Sequence, residues 1–254
     1  MDGAKQLPLE NARDHELTIS PAVVGLGLAV VIVCLTLMHI LVQVAFFAFG
    51  RDHLLGLTPL FDLNRENNIP TWYSGIVFFM AAAALAVVAA AKHQSSGLFA
   101  RHWTLLAAIF LYLSLDELTR IHENWGPLLE QPLGHLRGAT VMGGALRNLW
   151  VIPALLLAVA VGATYIRFLL HLPSRTRALF LVSGVAFVFA AVGMEMVGAS
   201  YSAAGGRLEP GFMVLVTVEE AIEMASIALF LYAVLDYAGS TLSSVLVRIP
   251  AGPP

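Results

Sequence analysis

The sequence predicts an all-α fold, a polytopic transmembrane helix bundle of about six spans, and three observations carry that prediction. Hydrophobic residues make up 58% of the 254 and charged residues 12%, with a mean hydropathy of +0.79, beyond what a soluble domain of this size carries. The apolar residues fall in six runs, each long enough to supply the ~20 residues that cross a bilayer at 1.5 Å per residue. Between the runs stand short polar, Gly- and Pro-bearing clusters of the kind that start and stop helices.

Taken in order, residues 1–21 form a polar N-terminal segment, too acidic for a signal peptide, so the first run reads as an uncleaved anchor. The spans are expected at 22–49, 70–91, 102–123, 149–170, 177–200 and 211–237, within a transmembrane domain of 22–238 followed by a short tail at 239–254. Pro21 and Pro70 sit where helices begin, and Gly50, the His93–Gly97 stretch and the Ser202–Gly206 stretch interrupt the apolar pattern. The alanine-rich second span and Gly184, Gly193 and Gly198 in the fifth allow close helix packing. The connection at about 124–148 is apolar and glycine-rich, either a lid on the membrane surface or a loose interfacial loop.

Counting Lys and Arg by side gives eight with the termini and the 2–3 and 4–5 connections, and five on the opposite side. That bias places both termini in the cytoplasm. A net charge of −3 and a pI near 6.2 offer no basic surface, so no nucleic acid is expected as a partner; the partner is the lipid bilayer, with room for a homo-oligomer or a membrane complex. Cys34, the only cysteine, lies in the first span and is read as a small apolar residue, which removes any intrachain disulfide or cysteine metal cluster.

With that topology the acids of the spans share one depth. Asp116, Glu117 and Glu123 lie towards the outer end of span 3, Glu195 towards the outer end of span 5, and Glu219, Glu220 and Glu223 in the first half of span 6. Each ionised group near mid-span costs about 2.5–3.5 kcal/mol, so the set needs metal cations, bound protons or a watery vestibule. Helical spacing puts Glu219, Glu220, Glu223 and Ser226 on one seam of span 6, and puts Arg120 beside Asp116 and Glu123 as an ion-pair ladder on span 3. Span 1 adds a polar stripe of Thr36, His39 and Gln43, in which Thr36 or Gln43 is a local partner for the histidine.

Glu117, His122, Glu123, Glu195, Glu219, Glu223 and His39 are therefore the candidate metal ligands, with Asp116, Arg120, Glu220 and Ser226 as the rest of the polar cluster. Carboxylate with imidazole suits Zn, Mn or Fe, which makes a divalent metal the expected cofactor. Between spans 1 and 2, Asp62, Asn64 and Glu66 alternate like half of a calcium loop, but Asn67 and Tyr73 stand where that pattern needs Gly and Glu. A turn that caps the next helix at Pro70 is the preferred reading.

FDLNRENNIPTWYS, SLDELTRIHE and VEEAIEMASIALFLYAVLDY resemble segments of an uncharacterised family of bacterial six-span integral membrane proteins. The resemblance implies a bacterial inner membrane and no activity. The chain is also loosely similar to carboxylate-bridged di-metal bundles, although it lacks their Glu-x-x-His repeat. Three functions follow: a metal-dependent membrane enzyme, hydrolase or oxidoreductase, acting on a lipid or other apolar substrate; a proton- or cation-coupled transporter; and a structural or partner-binding subunit of a membrane complex. Weak polarity in the inner halves of spans 2, 4 and 5 argues against the second.

Overall fold

A computed structural model describes residues 20–50, 54–138 and 144–242. Among the described residues six long helices account for most of the chain: α1 Pro21–Phe49, α2 Ile69–Gln94, α3 Ala100–Thr119, α4 Val151–His171, α5 Ser174–Ala203 and α6 Pro210–Thr241. No strand occurs among them, so the chain is an all-α polytopic bundle. Four helices, α1, α2, α4 and α5, are long and apolar enough to cross a membrane, and α3 and α6 carry the acids of the long helices other than Glu195. Large side chains stand exposed along the outside, among them Val23, Leu37, Leu156 and Val159, and such a surface fits contact with a bilayer.

Local chemistry sets the helix ends. Pro21 and Pro210 occupy first-turn positions, where a missing N–H costs nothing. Gly50 closes α1 in the left-handed region (φ 60°), and its N–H returns to Phe46 O at 3.0 Å. Asn68 caps α2 by accepting from Thr71 N at 3.1 Å, with Pro70 just inside, which is the capping turn expected at this point.

Two departures from the expected elements matter for the site. Span 3, expected to run to residue 123, ends as a helix at Thr119, and Arg120 follows in the left-handed region (φ 56°, ψ 43°). The ladder of Asp116, Arg120 and Glu123 assumed an unbroken helix, so it does not form in that way. The 124–148 connection contains a short helix, Gly126–Leu133, and α5 is interrupted by a π-helical turn over Phe189–Met194, immediately before Glu195. A π turn adds one residue to the ladder and resets which face the following residues present.

α6 packs against α1, α2 and α5, and α2 pairs closely with α3. That last approach depends on Gly75: a Cβ there would meet Leu118 at 2.8 Å, and Ser114 Oγ donates to the Gly75 carbonyl at 2.8 Å. The main core gathers at the end of the bundle remote from Glu219. Phe110 stacks on Phe230 with centroids 4.3 Å apart, Phe180 lies 4.6 Å from Phe230, and Trp103 stacks on Tyr237 at 4.8 Å. Val77, Phe78, Leu85, Phe168 and Val234 complete this plug.

Candidate functional site

The opposite end of the bundle is built around α6. Glu219 and Glu220, neighbours on one turn of that helix, and Glu223, one turn on, meet Glu195 from the turn after the π segment of α5 and Glu117 from the last turn of α3. Glu219 shares a side-chain hydrogen bond with Glu195. The Glu220 carboxyl lies within the field of Glu117, Glu219, Glu66 and Glu195, and Glu223 within that of Glu220, Glu117, Glu219 and Glu195. Five of the expected acids thus converge from three helices. Two like charges 4 Å apart repel by about 4 kcal/mol even at an effective dielectric of 20, so such a group persists only with cations or protons among the carboxyls.

Beside this cluster, Asp116 and His122 form a pair. His122 Nδ1 lies 2.7 Å from Asp116 Oδ2 and its backbone N–H donates to Asp116 Oδ1 at 2.8 Å. The turn after Thr119 folds His122 back over the end of α3 and makes this double contact possible. Its ring lies 4.5 Å from Trp150 and within the field of Glu117. Asp116 engages Nδ1, so any ligation by His122 runs through Nε2, the arrangement in which a carboxylate orients a metal-binding imidazole. The side chain of Glu123 lies outside the described residues.

His39 belongs to a different network. Its Nδ1 accepts from Leu63 N at 2.9 Å and stands 3.6 Å from Asp62, so the partner is a loop backbone group and neither Thr36 nor Gln43. Gln43 instead donates to Asp62 Oδ1 at 2.9 Å, Arg65 Nε reaches Asp62 Oδ2 at 3.2 Å, and Asn64 N donates to Asp62 Oδ1 at 3.2 Å. With those donors in place Asp62 is engaged by the protein itself, and the half calcium loop is a turn. Asn68 Nδ2 donates to the carbonyls of Asp62 and Arg65, both at 2.8 Å, fixing the loop from within. The imidazole is fully buried, and among the described residues its Nε2 has no hydrogen-bond partner.

This clamped loop delivers Glu66, whose carboxylate pairs with Arg120 Nε at 2.9 Å and reaches the field of Glu220. The sequence reading left out Glu66 as a site residue, as it left out Asn148, which donates to Glu195 from the start of α4. The alternation of Asp62, Asn64 and Glu66 was the available signal for the first; Asn148 beside an apolar run gave none. Ser226 spends its hydroxyl on the Ile222 carbonyl of its own helix, at 2.6 Å, and takes no part in the cluster.

Among the described residues no three His, Cys, Asp or Glu side chains already stand in metal-ligand geometry, so a metal ion here needs rotamer changes within the cluster. What the arrangement does provide is carboxyl groups from three helices and an oriented imidazole at their edge. No curated protein and no solved structure matches the chain. Residues 21–237, from the first turn of α1 almost to the end of α6, match a family described as Domain of unknown function (DUF8692). The chain belongs to that family.

Proposed function

We propose that this chain is a metal-dependent enzyme of the bacterial inner membrane, with all six long helices as spans and both termini in the cytoplasm. The metal is a divalent ion, Zn, Mn or Fe, held by carboxyls of Glu117, Glu195, Glu219, Glu220 and Glu223, with His122 as the nitrogen ligand oriented by Asp116. The observation that carries the reading is the convergence of five carboxyls from three helices beside that Asp116–His122 pair. Arg120, the cation of this region, is engaged with Glu66, so compensation for the other acids has to come from a bound cation or from protons.

Bound there, a divalent metal supplies a Lewis acid and lowers the pKa of a coordinated water to about 7. The chain's own residues hold the charge, keep His122 in one orientation and place the reacting centre at membrane depth, where substrates are lipids or other apolar molecules. The aromatic packing of Phe110, Phe180 and Phe230 across the bundle interior favours this reading over a transport path, which needs polar groups on both sides.

The test is elemental analysis of detergent-purified protein prepared without strong chelators. About one or two equivalents of Zn, Mn or Fe are expected, and Glu223→Gln should lose them while remaining folded. Metal-free wild-type protein, or full occupancy in Glu223→Gln, overturns the assignment, and the first of these directs attention to proton flux through the same carboxyls.

A further inference from the structure

The two ends of the bundle differ in charge as well as in packing. No Asp or Glu occurs from residue 67 to 115 or from 131 to 194. At the end where Trp103 stacks on Tyr237 stand Lys92, Arg101, Arg167, Arg175 and Arg177, and among the described residues the only acid there is Asp236. The cations lie near helix termini. Lys92 is in the last turn of α2, Arg101 in the first turn of α3, Arg167 one turn before the end of α4, and Arg175 and Arg177 in the first turn of α5.

Most of these charges are left open. Arg175 Nε reaches Asp236 at 3.2 Å and its Nη2 donates to the Tyr232 hydroxyl at 2.6 Å, but the other four have no carboxylate partner among the described residues. Lys92 Nζ sits 5.4 Å from the centre of the Tyr237 ring, and Arg177 Nη1 donates to the Leu170 carbonyl at 3.4 Å; neither contact cancels a charge. Arg101 and Arg167 stand exposed beside His102 and Phe168, whose rings stack with centroids 5.8 Å apart and join the two helix ends. At the acidic end, by contrast, Arg65 and Arg120 each meet a carboxylate.

We propose that this end of the bundle is a docking surface for anionic phospholipid headgroups, with Arg101, Arg167 and Arg177 as the groups that meet phosphate. The occupant follows from charge and depth. The ends of membrane-crossing helices lie at headgroup level, where long basic side chains extend to the interface, and a guanidinium matches two phosphate oxygens at once. The open cations are spread over α2, α3, α4 and α5, which suits a layer of separate headgroups; an acidic protein would need them gathered on one face. A zwitterionic headgroup carries its own cation and does not neutralise such a surface. The inference rests on the placement of the helices across a bilayer and is independent of the metal.

The experiment uses the full chain in detergent with equimolar phosphatidylglycerol and phosphatidylcholine of matched acyl chains, and counts bound lipids by native mass spectrometry. Phosphatidylglycerol is expected to exceed phosphatidylcholine about tenfold, and less at high salt, since each basic residue near an anionic surface is worth roughly a fivefold gain. Arg101→Gln combined with Arg167→Gln should bring the two lipids close to parity. Thermal midpoint and metal content should stay unchanged, because neither side chain has a hydrogen bond or ion pair among the described residues. Arg207→Gln, at an exposed cation of the acidic end, should leave the preference intact. Equal binding of the two lipids by the wild type overturns the proposal and directs the search to an acidic protein at this surface. A preference that survives the double change, or that Arg207→Gln abolishes equally, overturns it as well. A preference shown by wild-type protein that carries no metal supports headgroup binding and overturns the metal reading alone.

Discussion

α6 carries two different interiors on one continuous helix. In its first half Glu219, Glu220 and Glu223 face acids from α3 and α5; in its second half Phe230, Leu231, Val234 and Tyr237 face aromatic and aliphatic groups of α2, α3 and α5. At the aromatic end each ring has a neighbour that it packs against, and burial itself stabilises the contact. At the acidic end the charged neighbours of Glu220 and Glu223 are other carboxyls. The first arrangement fastens the bundle; the second destabilises it unless something binds. That difference is the reason to place function at one end and folding at the other.

The comparison can be broken most forcefully at the aromatic end. Trp103 is 1% exposed and touches Phe168, Phe180 and Tyr237, so Trp103→Ala should cost about 3–5 kcal/mol, read as a lower thermal midpoint in detergent, with metal content unchanged in the folded fraction. Loss of metal without loss of midpoint would reverse the roles assigned to the two ends. Glu195→Gln, in the turn that follows the π segment, removes one carboxylate from the cluster where Glu195 meets Glu219 and Asn148. Metal binding should then weaken with little change in the midpoint; unchanged binding would show that Glu195 is dispensable.

Smaller effects sharpen the boundary. Asn68→Ala removes the cap of α2 and both clamps on the Asp62–Asn68 loop, and should cost about 1–2 kcal/mol in thermal unfolding while loosening Glu66 from Arg120. Arg175 pairs with Asp236 at 3.2 Å at the far end of α6 and is largely exposed, so Arg175→Ala should change the midpoint by under about 1 kcal/mol and leave metal content alone. A large loss there would mean that the aromatic end depends on charge after all.

The helices were legible because each is an apolar run bounded by Pro, Gly or a polar cluster, and the seam on α6 was legible because Glu219 and Glu223 recur at helical spacing. Glu117, Glu195 and the α6 acids were grouped by comparing depth across spans, and Glu117, Glu219 and Glu195 all lie within the field of Glu220 and Glu223. What escaped were features set by several elements together. Arg120 was placed on a helix that stops one residue earlier, because the tertiary turn that folds His122 onto Asp116 has no periodic signature. His39 was grouped with the acids by depth, whereas its ring faces the Leu63 backbone of a neighbouring loop. The π turn before Glu195 and the reach of Asn148 are likewise products of packing, invisible to the spacing of any single helix.

The most direct test of the division between the two ends is Mn²⁺ binding to purified protein, followed by loss of the free-ion paramagnetic resonance signal, for the wild type, Glu223→Gln and Phe230→Leu. Saturable binding in the wild type and in Phe230→Leu, with none in Glu223→Gln, is the result predicted. Equal binding in all three, or none in the wild type, would contradict a metal site built on the α6 carboxyls.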